Sequence, residues 1–117
     1  MIQEQTWQDF GRILITDEEH HGSVQVEIPY EQGKIANGKA DAYIYALWVD
    51  KEYRRHEAGK RLLETAEEQA RQNGARSVAL GWDGRDTPRW VLHWYERQGY
   101  EEKEFGRNRS LLVKKLV

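Results

Sequence analysis

The stretch AYIYALWVDKEYRRHEAGKRLLE, residues 42–64, decides the architecture. Its first eight positions, AYIYALWV, are all apolar or aromatic, so they predict a central strand covered on both faces. Residues 50–57 are dense in charge and form a turn. Ala58, Leu62, Ala66 and Ala70 then recur at intervals of four, with Leu63 beside them, which predicts an amphipathic helix over residues 58–73. Glu67 and Arg71 stand one turn apart on it and are expected to pair. Gly74 sits where a helix C-cap falls. SVAL, residues 77–80, is a second apolar strand, and a strand–helix–strand unit of this length implies a parallel pair with a right-handed crossover. The first turn of a helix leaves about four N–H groups without intrahelical acceptors, at the positive end of its dipole. A turn that gathers those groups is an anion site suited to phosphate. Arg54, Arg55, Lys60 and Arg61 add positive charge around it, and Gly59 lets a ligand approach the backbone. The competing reading is a basic, solvated helix start.

Outward from this unit, Thr87-Pro88 resembles an N-cap followed by proline at the first helical position. The helix it opens runs to about residue 98, with Val91, Trp94 and Tyr95 inward and Gly99 at its end. Residues 100–105 and 110–115 form an antiparallel pair around Gly106. On the N-terminal side, residues 10–16 read as a strand and residues 17–23 as a polar turn. Val24, Val26, Ile28 and Tyr30 alternate with polar residues and Pro29, the period of a half-buried strand, with Pro29 marking an edge or a bulge. Residues 31–40 form a loop containing Asn37-Gly38. Residues 1–8 receive no assignment. The whole is one mixed α/β sheet with helices on its faces.

The length, 117 residues, suits one domain spanning residues 1–117. There is no cysteine, which excludes disulfide scaffolds, zinc ribbons and cysteine nucleophiles. Thirteen aromatic residues argue for a packed core. The net charge of −2 argues against a nucleic-acid binder. No run of apolar residues suggests a membrane span or a leader, so the expected compartment is the cytoplasm. Residues 1–50 carry 3 basic and 9 acidic side chains, and the remainder carries 15 basic and 11 acidic. Such a division suits an anionic ligand on one side and a cationic one on the other, or simply a mixed solvated surface. His20-His21, in an acidic turn, is read as solvated, and no metal site is expected.

Residues 42–64 resemble the acyl-CoA-binding motif of the GNAT family of N-acetyltransferases. Leu47-Trp48-Val49 matches the end of the family's strand and Tyr53-Arg54 its turn. Arg54 and Gly59 match the ends of its loop motif, and Leu62-Leu63 its paired leucines. A second signature, aromatic-Tyr-Glu-x-x-Gly-aromatic, matches Trp94-Tyr95-Glu96-Arg97-Gln98-Gly99-Tyr100. The resemblance implies a GNAT-like α/β (α+β) fold, with a mixed, mostly antiparallel central sheet and two main helices. It also implies acetyl-CoA as cosubstrate and an amine as acceptor. Backbone groups of Leu47, Trp48 and Val49 would pair with the pantetheine arm, and an N–H there would polarise the thioester. Arg54, Arg55, His56, Glu57, Ala58, Gly59 and Lys60 would hold the pyrophosphate. Tyr95 matches the tyrosine that protonates the leaving thiolate, a suitable role for a phenol with a pKa near 10; its alternative is a buried helix-face aromatic.

Three features depart from the family pattern. Glu57 stands where the first glycine of the loop is usual, and a carboxylate there weakens the grip on a pyrophosphate unless it pairs, for example with Arg61. Pro88 stands where many relatives carry an asparagine that bonds the pantetheine arm. The two helices that wall the acceptor site in relatives are replaced by a turn, so the site is open or a second subunit completes it in a homodimer. A non-catalytic acyl-CoA-binding module, or a structural α/β domain, are the alternatives. Glu27, Glu31, Asp41, Tyr45 or water are candidates for the base. His56 either touches phosphate or lies at the surface. His93 and Tyr95 point different ways on their helix. Trp90 and Trp94, one turn apart, form a wall for the acyl-CoA or for the core, with core favoured, and Asp83 and Asp86 either approach a cationic acceptor or, the commoner case, are solvated loop carboxylates.

Overall fold

A computed structural model describes residues 2–7, 12–17, 19, 21–27, 40–52 and 57–116. These form β1 (Ile2–Trp7), β2 (Arg12–Asp17), β3 (Gly22–Glu27), β4 (Ala42–Val49), α1 (Ala58–Gln72), β5 (Ser77–Asp83), α2 (Arg89–Arg97), β6 (Glu101–Gly106) and β7 (Arg109–Lys115). The strands make one sheet in the order β1-β2-β3-β4-β5-β7-β6. Strands β1 to β4 are an antiparallel meander, β4 and β5 are parallel across α1, and β5–β7 and β6–β7 are antiparallel. The expected mixed, mostly antiparallel sheet with one parallel unit and two helices is therefore present.

Alternation decides which face is buried. Ile13 and Ile15 of β2 pair with Val26 and Val24 of β3, and all four join Ala42 and Ile44 of β4 in the main core. Against them α1 lays Ala58, Leu62, Leu63, Ala66 and Ala70, the stripe read from the sequence. α2 adds Leu92 to the same core, with Val91, Trp94 and Tyr95 packed partly against it. A smaller cluster, Ala40, Ala79, Leu111 and Val113 with Tyr43, lies on the opposite face, where no helix among the described residues is packed. Gly22 is required where β3 meets β4 and α1. A Cβ there would stand 2.9 Å from Leu62 Cδ1 and 3.0 Å from the Trp48 carbonyl oxygen.

Several expectations change. The unassigned N-terminal residues include β1, a mostly polar strand held by its backbone pairing with β2. The strand expected over 10–16 is Arg12–Asp17, and that over 77–80 extends through Asp83. The N-cap of α2 is Pro88, with φ −61° and ψ 153°, not Thr87. This agrees with the extended conformation proline tolerates, since its missing N–H costs nothing at a helix start. Trp90, expected in the core, is 61% exposed, and Leu92 is the residue of α2 that is buried. Glu67 does not serve as a surface partner of Arg71. It is buried, accepts hydrogen bonds from Tyr100 Oη at 2.8 Å and Lys114 Nζ at 3.1 Å, and leaves Arg71 to Glu68. Ile28, Pro29, Tyr30 and the expected loop 31–39 lie outside the described residues.

Candidate functional site

Of the residues singled out by sequence, Leu47, Trp48 and Val49 end β4 and Glu57 to Lys60 open α1, with Val49 Cγ2 beside Gly59, and two irregularities shape the end of β4. Ser23 pairs with Trp48 and Gln25 with Tyr45, so Val24 alone faces both Ala46 and Leu47. This is a β-bulge, and Ala46 takes φ 55° within it. The extra residue shifts the alternation. Tyr43 and Tyr45 before it, and Trp48 after it, face away from α1, while Val49 is buried beneath the helix. Trp48 is 52% exposed, so the expectation that β4 is covered on both faces fails beyond Tyr45. On the other side, the parallel ladder between β4 and β5 consists of Ala42–Val78 and Tyr43–Ala79, after which the two strands diverge. Asp41 clasps the closed end. Its carboxylate accepts from the Arg76 N–H at 2.9 Å, and its own N–H donates to Ser77 Oγ at 3.1 Å. That engagement makes Asp41 a structural group at the far end of β4 from the helix start.

α1 begins beside the open end. Glu57 is its N-cap, in the left-handed region at φ 57° and ψ 16°, with no side-chain capping bond. Its carbonyl accepts the first helical bond, from Arg61 N–H at 3.1 Å. The amides of Ala58, Gly59 and Lys60 precede that bond and lack an intrahelical acceptor. No acidic side chain lies in the first turn of the helix. Ala58 is fully buried, whereas a Cβ placed on Gly59 would meet Val49 Cγ2 at 3.9 Å and Trp94 Cη2 at 4.0 Å. Those are ordinary contacts, so packing within the chain does not demand glycine at 59. The left-handed conformation at Glu57 explains why glycine is the natural residue there. Lys60 Nζ lies 4.0 Å from Glu64 on the exposed side of α1. Arg54, Arg55 and His56, together with Tyr53, lie outside the described residues.

Tyr95 stands on α2 between Trp94 and Tyr100, with ring centroids 5.4 and 6.1 Å away. Burial pushes its pKa up to about 12, and Tyr43 adds to the shift. Its hydroxyl has no hydrogen-bond partner among the described residues, so it is a protonated phenol with a proton to give. Tyr100 is shifted upward too, by burial and by the neighbouring Glu67 carboxylate. Sequence reasoning missed the Tyr100–Glu67–Lys114 group, because nothing in one helix's spacing reveals a partner 47 residues away.

The remaining candidates separate. Tyr45 stacks on Tyr43 at 5.8 Å on the face away from α1. Glu27 lies at the opposite end of β3 from Gly22, and Glu31 is outside the described residues. His93 bonds Glu96 at 3.1 Å rather than Tyr95. Asp83 is more than a solvated carboxylate. Arg85 grips it through two side-chain nitrogens at 3.2 and 2.9 Å, Arg109 Nε lies 3.7 Å away, and its pKa is lowered to about 2, chiefly by hydrogen bonding to Arg85. Gly84 N–H also donates to Asn108 O at 2.9 Å, which ties the β5–α2 loop to the β6–β7 turn. His21 is exposed and stands 3.8 Å from Asp50, and His20 is outside the described residues. No cluster of metal-ligating side chains occurs among the described residues. No described helix is long and apolar enough to cross a membrane.

Solved structures share this arrangement. An acetyltransferase of the GNAT family from Staphylococcus aureus Mu50 superposes with a TM-score of 0.68 at 16% identity, over 96% of this chain and 72% of that one. An acetyltransferase from Streptococcus agalactiae 2603 gives 0.69 at 18%, over 94% and 70%. PaiA N-acetyltransferase from Thermoplasma acidophilum, solved in complex with coenzyme A, gives 0.66 at 17%, over 89% and 59%. At such identities the likeness establishes the fold, the GNAT acyl-CoA N-acyltransferase fold. No curated protein matches the chain. The family model for the acetyltransferase (GNAT) family matches residues 3–100. With the bulged β4, the diverging β5 and the open start of α1 all falling within that match, the chain belongs to the GNAT acetyltransferase family.

Proposed function

We propose that this chain transfers the acetyl group of acetyl-CoA directly to an amine, as a single domain spanning residues 1–117 and working in the cytoplasm on an acceptor that is neither nucleic acid nor membrane. The observation that carries the reading is the start of α1, where the amides of Ala58, Gly59 and Lys60 have no intrahelical acceptor, next to the end of β4 that has left its pairing with β5. The same fold in PaiA N-acetyltransferase is solved with coenzyme A. Those amides, with Arg54, Arg55 and His56 just before them in the sequence, hold the pyrophosphate. Glu57 supplies the bend that aims them. Leu47, Trp48 and Val49 run alongside the pantetheine arm as a neighbouring strand would, and a backbone N–H there draws charge onto the thioester oxygen. The acceptor loses a proton to water or a nearby base, and its nitrogen bonds to the acyl carbon. The carbon–sulfur bond breaks, and the sulfur takes its proton from Tyr95. A phenol held near pKa 12 stays protonated until that moment.

Binding without transfer is the second reading, favoured by the exposed Glu57 carboxylate at the mouth of the pyrophosphate site. Calorimetry with acetyl-CoA tests both, and thiol release in the presence of an amine panel separates them. Gly59→Ala is the decisive variant. Its methyl fits the fold, so thermal stability is retained or slightly raised, while acetyl-CoA affinity drops about tenfold or more because the backbone no longer reaches the phosphates. Unchanged affinity in Gly59→Ala removes the reading.

A further inference from the structure

Tyr95 on α2 has two ring neighbours, and both lead to α1. They are Trp94 at 5.4 Å and Tyr100 at 6.1 Å. Trp94 reaches the start of α1, where its Cη2 lies 4.0 Å from the place a Cβ on Gly59 would take. Tyr100 reaches the middle of α1, where its hydroxyl donates to Glu67 Oε2 at 2.8 Å. Gly59 and Glu67 are about 12 Å apart along the helix axis. The phenol assigned to the sulfur and the amides assigned to the pyrophosphate are thus referred to one rigid element. Tyr100 itself is tightly tied. Its ring meets that of Tyr95 at 64°, its N–H donates to the Tyr95 carbonyl at 3.2 Å, and it is 3% exposed. Glu67, 6% exposed, also accepts from Lys114 Nζ at 3.1 Å, and that ammonium lies 5.7 Å from the centroid of the Tyr100 ring. A buried carboxylate carries a desolvation cost that a hydrocarbon would not. What it supplies in return is direction, because a charge-assisted hydrogen bond holds the phenol along one line, and the Tyr95 ring rests against that phenol.

We propose that Glu67 is a positioning residue for the acid: acting through Tyr100, it sets where the Tyr95 hydroxyl stands relative to the start of α1. The inference rests on the acyl-transfer reading for its chemistry and on the Glu67–Tyr100–Tyr95 chain for its geometry. Glu67 itself exchanges no proton with substrate, and the sulfur still takes its proton from Tyr95. Released from Glu67, the Tyr100 ring tilts, the Tyr95 ring follows it, and the hydroxyl stands off the line to the leaving sulfur. Misplacing a reacting group by a fraction of an ångström slows the step while leaving the grip on the cofactor intact.

The test is a cycle of variants of the full chain, assayed by thiol release at a temperature where each is fully folded. Glu67→Leu and Tyr100→Phe are each expected to lower kcat about tenfold, with KM for acetyl-CoA and its calorimetric Kd unchanged. Tyr100→Phe carries the same test if Glu67→Leu does not fold. Glu67→Gln keeps an oxygen for the Tyr100 hydroxyl and is expected to restore kcat to near the parent value. In the Tyr95→Phe background the loss from Glu67→Leu or Tyr100→Phe is expected to vanish, since nothing is left to position. A loss that persists there is a general effect on the fold and overturns the proposal, as does an unchanged kcat in Tyr100→Phe. A second readout needs no turnover. In the free chain carrying isotope-labelled tyrosine, the Tyr95 ring signals are expected to shift or broaden in Glu67→Leu and Tyr100→Phe. They are expected to stay in place in Glu68→Gln, which removes the neighbouring surface partner of Arg71. Tyr95 signals that stay in place in the first two variants overturn the positioning whether or not the chain transfers acetyl groups. Signals that move in a chain that releases no thiol uphold the positioning of Tyr95 and remove the acyl-transfer reading.

Discussion

Glu67 offers the sharpest test of how the two helices are joined to the sheet. Its carboxylate, on α1, receives the hydroxyl of Tyr100 just after α2 and the ammonium of Lys114 on β7. Tyr100 is 3% exposed, so Glu67→Leu would strand a buried hydroxyl. A hydrogen bond to a charged group contributes about 1.5–3 kcal/mol, and an orphaned buried donor costs about 1–3 kcal/mol. The Lys114 side chain, 27% exposed, can turn to water and adds little. Glu67→Leu is therefore expected to cost about 3 kcal/mol. Tyr100→Phe leaves the carboxylate with Lys114 and is expected to cost about 1.5 kcal/mol. The double variant removes donor and acceptor together and is expected to fall short of the summed losses by about 1–2 kcal/mol. Urea unfolding reads this directly. At a slope of roughly 2 kcal/mol per molar for a domain of this size, Glu67→Leu moves the midpoint down by about 1.5 M. Single losses that add to within about 0.5 kcal/mol would refute the coupling and reduce the group to three independent contacts.

Tyr95→Phe is expected to lower kcat about a hundredfold while KM for acetyl-CoA stays put, and equal turnover would dismiss the phenol as the acid. Because the folded pKa of Tyr95 lies near 12, above the ordinary 10, its share of stability is complete below pH 10 and lost as pH climbs through 12. Tyr100 shifts in the same direction, so urea midpoints should hold up to pH 10 and then decline; a flat profile to pH 12 contradicts this. Gly22→Ala is expected to destabilise by about 1–3 kcal/mol in the same assay, since the new methyl crowds a backbone carbonyl as well as Leu62 and Val49. Glu57→Gly removes a carboxylate from the phosphate site and should tighten acetyl-CoA binding severalfold in calorimetry. It should change the thermal midpoint little, because relief of the left-handed strain, about 1–2 kcal/mol, is largely offset by the unfolded-state entropy of glycine, about 0.5–1 kcal/mol.

Where one periodicity governs an element, the chain declared it. The four-residue spacing of Ala58, Leu62, Ala66 and Ala70 gave α1 its place and its buried face, and the aromatic-Tyr-Glu-x-x-Gly run located the end of α2. β1 was hidden because Ile2-Gln3-Glu4-Gln5-Thr6-Trp7 lacks an apolar alternation in its sequence, and backbone pairing with β2 makes it a strand. Trp48 was misjudged because the bulge at Ala46 reverses the alternation, and a bulge leaves no compositional mark when the residue is alanine rather than glycine. Trp90 was misjudged for a different reason. α2 is short and buries only Leu92 fully, so the width of its apolar stripe overstated what the sheet covers. The motif residues of the candidate site were readable by type. The gap they border was not, since it depends on how far two parallel strands stay together.

That gap divides the sheet into two leaves. One contains the meander and carries α1; the other contains β5, β7 and β6. Along their shared spine the backbone supplies a short ladder and the Asp41 clasp, and the side-chain bridge from Glu67 to Tyr100 and Lys114 spans the layer above. A guest lying in the opening and bonding to both strands would act as an added cross-member. Its arrival would stiffen the hinge and register at margins as distant as β1 and β6, which no guest in the opening touches.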